Sequence, residues 1–196
     1  MSHISLIVGL GNPGPAYEGT RHNAGYWFIN ELNRQFPLDF RLESRFRGRV
    51  AEAQIGGRRV RLLCPDTYMN ESGQPVSALV RYYGIEPQSV LVIHDELDLE
   101  PGVVRLKEGG GHGGHNGLRD LMTHLGSNEF IRLRLGIGHP GQANDVTDYV
   151  LRVPSAADCA AILDAVTRAA SLIEKIVAGN YVAVMNELHQ FPATED

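Results

Sequence analysis

Lysine is nearly missing from this 196-residue chain: Lys107 and Lys175 are the only two among 18 basic residues. Against 23 acidic residues the formal charge is −5, so no global basic surplus announces a polyanionic partner. Any such contact must come from a local patch, and arginine, with its planar fork, is the cation available for it. Cysteine is equally scarce. Cys64 and Cys159 stand far apart and form no CxxC, which excludes a disulfide framework and fits a reducing compartment. Long hydrophobic runs are absent, none nearing the roughly 18 residues of a membrane span. The opening MSHISLIVGLGNPG has no basic leader, so a soluble, cytoplasmic protein is expected. There is also no HExxH, no GxSxG, and no motif around either cysteine, which argues against a zinc helix and against a protein nucleophile.

Glycine is what the chain has in excess: 22 residues, about 11% against roughly 7% in average usage. These glycines gather at Gly9 to Gly14 and at Gly109 to Gly117, marking two loops of unusual backbone geometry. Around them, apolar patterning predicts strands at Ile4 to Leu10, Val90 to His94, Val103 to Leu106 and Arg132 to Ile137. Arg49 to Ile55 and Arg59 to Leu63 alternate about Gly56-Gly57, a hairpin signal. Helical spacing covers His22 to Phe36, Glu71 to Tyr83, Gly117 to Leu125, Ser155 to Ala178 and Tyr181 to His189. Alternating strands and helices with one hairpin predict an α/β fold. We expect a single domain over residues 1–196, a twisted mixed β-sheet flanked by helices.

Gly9-Leu10-Gly11-Asn12-Pro13-Gly14 matches the dinucleotide fingerprint GxGxxG, but Pro13, Pro15 and Gly19 block the helix that must open there. What remains is a rigid loop presenting Asn12 at the carboxyl end of the first strand, where ligands of open α/β sheets bind. Thr20-Arg21-His22-Asn23 opens the next helix, and His94-Asp95-Glu96-Leu97-Asp98 ends a central strand. Two strand ends can thus bring His22 and Asp95 to one edge, where a carboxylate orients an imidazole. Asn70 lies just before a helix and Asn116 closes the long glycine loop, so each is a candidate cap or a candidate substrate-binding amide. A metal-dependent hydrolase using His94, Asp95, His112, His115 and His139 is an alternative, as is an RNA-binding protein without catalysis.

The series Leu6 to Gly14, Thr20 to Gly25, Tyr68 to Asn70 with Ser72-Gly73, His94 to Asp98, Gly109 to Gly117 and Arg134 to Gly141 resembles the bacterial-type peptidyl-tRNA hydrolase family. The motifs occur in the family's order, from about Ile4 to His189. The resemblance implies a monomeric esterase that needs no metal or other cofactor. Its substrate would be peptidyl-tRNA, with no obligate protein partner and no membrane. It further implies His22 as catalytic base with Asp95 as its partner, and Asn12, Asn70 and Asn116 as substrate-binding amides. Tyr17 and Met69 would line the cleft. Lys107 and Arg134 would clamp the tRNA 5′-phosphate, both lying on strands expected to feed the same edge. Glu108, directly after Lys107, puts an acid beside that clamp.

Overall fold

The apolar segments Leu6–Gly9 (β1) and Val90–Glu96 (β5) pair in parallel at the heart of a seven-stranded sheet. The computed structural model describes residues 3–142 and 145–189. Arg58–Pro65 (β4) runs parallel to β1 on one side, and Ile131–Gly136 (β7) parallel to β5 on the other. Antiparallel strands finish both margins. Arg41–Glu43 (β2) and Gly48–Ile55 (β3) extend the sheet beyond β4, and Val104–Glu108 (β6) closes it beside β7. The order is β2-β3-β4-β1-β5-β7-β6. The hairpin β3–β4 turns through Gly56 and Gly57 at φ 56° and 74°, positive at both central positions as such a two-residue turn requires.

Strand alternation loads both faces. Ile7, Leu91, Ile93 and Leu133 pack under Ala24–Gln35 (α1), Ala156–Ser171 (α5), Ile173–Val177 (α6) and Tyr181–His189 (α7). Leu6, Val8, Val90 and Val92 face Gly73–Tyr83 (α2) and Asn116–Leu125 (α3) instead. The result is a single domain of three layers. Val146–Val150 forms a further short helix; numbered in chain order it is α4.

Two expectations are corrected, and two short elements were not foreseen. The long helix expected over Ser155 to Ala178 breaks at Leu172, where Ser171 turns its hydroxyl onto the Arg168 carbonyl at 2.7 Å. Its apolar face continues across the break, so periodicity alone reads straight through. β2 is exposed at all three residues and α4 spans five, so neither leaves an apolar rhythm to read. The second correction concerns the antiparallel edge pair β6–β7. Because β6 is antiparallel to β7, Lys107 and Arg134 do not lead to one edge; Lys107 stands opposite Arg132, with Arg134 two residues further along the same face.

Gly25, at the start of α1, serves packing. A Cβ on Gly25 would fall 2.4 Å from the Leu10 carbonyl and 2.6 Å from that of Ile93. Only glycine lets the start of α1 sit against the carboxyl ends of β1 and β5.

Candidate active site

The parallel strands β1 and β5 end at the same edge, and the residues that follow them build a cleft of about 300 Å³. Asn12, Tyr17, His22, Met69, Asn70, Asp95 and Asn116 all line it. The structure therefore brings together seven of the nine residues expected from the sequence. Lys107 and Arg134 lie outside it, on the β6–β7 face.

His22 sits in a tight 3-10 turn, Arg21–Asn23, just ahead of α1. Its Nδ1 lies 3.0 Å from both carboxylate oxygens of Asp95, which leaves Nε2 as the nitrogen free to act in the cleft. Both residues are buried. Burial works against a charged His22, but the charge and hydrogen bond of Asp95 outweigh it and raise the imidazole above its ordinary pKa. Burial opposes ionisation of Asp95 too, yet His22 and His115 hold it well below the usual carboxylate range. The pair titrates as a unit.

His115, on the glycine loop the sequence singled out, was expected only as a ligand in the metal-dependent alternative. Its Nε2 meets Asp95 Oδ1 at 2.9 Å. Its Nδ1 accepts the backbone N–H groups of Gly117 and Leu118 at 3.1 and 3.3 Å, capping α3. The cap is thus His115 and not Asn116, which is the first helical residue. Because Nδ1 accepts, the proton of a neutral His115 resides on Nε2 and is donated to Asp95. The neighbouring His94 is buried and points its Nδ1 at the Asp95 carbonyl, 2.7 Å away. Burial, reinforced by His115, drives its pKa down to about 3, so it stays neutral.

The three asparagines differ in how they are held. Asn12 takes the Met69 N–H on Oδ1 at 2.7 Å, so its NH₂ is left for a ligand. Its backbone is gripped from both sides by Asn23, whose Oδ1 accepts from Asn12 N at 2.8 Å and whose Nδ2 donates to Asn12 O at 3.0 Å. Asn116 takes a hydrogen bond from Arg119 on Oδ1 at 2.9 Å, again freeing the NH₂. Asn70 lies in the exposed turn Met69–Glu71; it is not the cap of α2, whose N-cap is Ser72.

Tyr17 and Tyr68 meet edge to face across 6.2 Å, forming an aromatic wall. Tyr68, expected only as part of a motif, and α4, which supplies Val146 and Val150 to the lining, were not among the expected site residues. Arg21 ties the two sides together. Its guanidinium is buried, donates to the carbonyls of Tyr149, Arg152 and Val153, and lies 4.1 Å from the Tyr149 ring centroid. The glycine loop is pinned similarly: Arg132 donates to the Gly111 carbonyl at 2.6 Å and to that of Gly110.

Metal ligation suits this site poorly. Among the described residues the one group of three candidate ligands is His22, Asp95 and His115. Asp95 meets His22 at 3.0 Å and His115 at 2.9 Å, both hydrogen-bond distances, and a metal on His115 Nε2 would move its proton to Nδ1 and cost α3 its cap. The expected alternative set does not assemble: among the described residues His94, His112 and His139 join no group of three candidate ligands, and His139 Nδ1 accepts from Gly141 N–H and His112 Nδ1 from that of Gly114.

On the antiparallel edge pair β6–β7, Arg105, Lys107, Arg132 and Arg134 share one face. Arg134 is ion-paired with Glu96 at 2.9 Å. Glu108 alternates to the other face, where it lines a separate hollow with Tyr181, so its charge is turned away from Lys107.

A three-layer α/β domain with an imidazole–carboxylate pair and three amides about one cleft defines a small enzyme of the hydrolase class. The model of the family described as "Peptidyl-tRNA hydrolase" matches residues 6–196. The peptidyl-tRNA hydrolase of Pasteurella multocida is 52% identical over 194 residues, covering 98% of this chain and all of that one. The Methylococcus capsulatus enzyme is 54% identical over 186 residues, 95% and 99% of the two chains. The crystal structure of peptidyl-tRNA hydrolase from Acinetobacter baumannii superposes with a TM-score of 0.94 at 46% identity, covering 97% of each chain. The chain belongs to the peptidyl-tRNA hydrolase family.

Proposed function

We propose that this chain hydrolyses the ester joining a peptide to the 3′-ribose of tRNA, with His22 activating the attacking water. The observation that carries the reading is the His22–Asp95 contact at 3.0 Å within the cleft. His22 Nδ1–H donates to Asp95, and Nε2 takes a proton from water as the oxygen attacks the ester carbonyl. Charge then develops on the carbonyl oxygen, where the NH₂ groups of Asn12 and Asn116 are available as donors. Collapse returns the proton from His22 Nε2 to the departing ribose oxygen, giving a free carboxylic acid and free tRNA. Ribose hydroxyl is a tolerable leaving group, so the steps need no metal, cofactor or acyl-enzyme.

Asn70 supplies a further amide to the peptide, with Tyr17 and Met69 as cleft walls. Lys107 and Arg134 hold a tRNA phosphate from the shared face of β6 and β7. The enzyme acts as a monomer in the cytoplasm, without an obligate protein partner. No helix among the described residues is long and apolar enough to cross a membrane. Incubation with an N-blocked aminoacyl-tRNA, followed by separation of acid from tRNA, tests the reading. Wild type should release both products and His22→Ala should not; binding without release by wild type would favour the non-catalytic RNA-binding alternative.

A further inference from the structure

Tyr17 lines the catalytic cleft, and the next residue, Glu18, lines a second cavity of about 430 Å³ bounded by α1 and β3. Tyr26, Trp27 and Phe40 give it aromatic walls. The ring of Trp27 is fixed by its indole N–H, which donates to the Glu18 carbonyl at 2.8 Å. Tyr26 is fixed by its hydroxyl on the Pro65 carbonyl. Asn30 and Asn33, one turn apart on the exposed side of α1, also line the cavity, and neither side-chain amide has a hydrogen-bond partner among the described residues. Arg49 comes from β3, its guanidinium 5.7 Å from the Tyr26 ring centroid. No carboxylate among the described residues is ion-paired with it, and Glu18 is the single acid in the lining.

Planar rings, open amides and a cation in one hollow match the needs of a heteroaromatic base carrying a phosphate. Bases stack on aromatic side chains, amides read their edges, and arginine takes the phosphate through a charge-assisted fork. We propose that this cavity binds a nucleotide, its base among Tyr26, Trp27 and Phe40 and its phosphate on Arg49. Asn23 lies between the two sites, lining this cavity while holding the Asn12 backbone.

Trp27 is the single tryptophan of the chain, so its fluorescence reports directly on occupancy. Titration of the full-length protein with 5′-AMP or 5′-CMP should quench it saturably. Arg49→Ala should weaken both monophosphates about tenfold and leave adenosine nearly unchanged. Asn33→Ala should weaken nucleotide and nucleoside alike. Both positions are exposed, so the variants should fold, which circular dichroism checks. Absence of quenching up to about 10 mM nucleotide, far above useful affinity, overturns the proposal; so does quenching that Arg49→Ala leaves intact.

The nucleotide can come from the substrate's own RNA chain or from the free pool, and steady-state kinetics separate these sources. A raised KM with unchanged kcat in Arg49→Ala assigns the cavity to tRNA, whereas an unchanged KM beside lost AMP binding assigns it to free nucleotide. The kinetic arm rests on the function proposed above. Fluorescence needs no turnover, so failure of that function and failure of this site are told apart.

Discussion

His115 donates to Asp95 with one ring nitrogen and caps α3 with the other, 2.9 Å and 3.1 Å from their partners. The Asp95 carboxylate is therefore oriented by a helix terminus as well as by His22. His115→Asn loses the bond to Asp95 but keeps a side chain suited to capping. We expect kcat to fall by roughly tenfold, a size typical of a lost supporting partner, with melting temperature nearly unchanged. His115→Ala should lose both. Equal melting losses in the two variants would show that the ring serves Asp95 alone.

His22→Ala should lower kcat by about 10²-fold or more while KM stays close to wild type. Asp95→Asn should cost less, because the imidazole remains but its tautomer and developing charge lose support. Near wild-type kcat in His22→Ala would remove the mechanism.

The pH dependence has a defined sign. The base must be neutral, so kcat should rise with pH through an apparent pKa above the ordinary histidine value of 6.5. Asp95→Asn removes the charge that raises His22 and leaves burial, which lowers it. The residual activity of that variant should therefore extend to lower pH. An unshifted acid limb would mean that another group governs it.

Stability should follow the same groups. Asp95 titrates below its unfolded value, so it contributes stability at pH above about 4 that is lost as the medium is acidified. His22 titrates above its unfolded value, so its contribution is full below about pH 6.5 and is lost on going alkaline. Urea unfolding of wild type and Asp95→Asn across pH 3–8 checks both, the difference shrinking at the acid end.

Lys107→Ala and Arg134→Ala should raise KM, leave kcat nearly unchanged and flatten the salt dependence. The Arg134 effect should be the smaller, since Glu96 already engages its guanidinium. Wild type should also prefer substrates carrying the 5′-phosphate. An equal KM with and without that phosphate sinks the clamp.

The sheet was largely legible because β1 and the start of β5 are short apolar runs, β7 alternates arginine with leucine, and Gly56-Gly57 is an unambiguous turn. Asn12, His22 and Asp95 were legible for a related reason: each follows or ends a strand at the carboxyl edge. His115 was hidden because its role depends on which nitrogen faces which partner, and no residue pattern encodes a tautomer. α4 was hidden for want of length. The geometry of Lys107 and Arg134 was misjudged because strand direction on the sheet margin is not written in a five-residue run.

Arg21 makes the cleft mechanically stiff. One buried side chain grips three carbonyls of the 149–153 segment, and that segment continues from α4, a lining wall. A bulky inhibitor that pushes this wall outward pulls on the residue immediately before His22. Potency gained by filling the cleft thus trades against strain transmitted to the Arg21–Asn23 turn, and compact ligands anchored on the asparagines avoid that load.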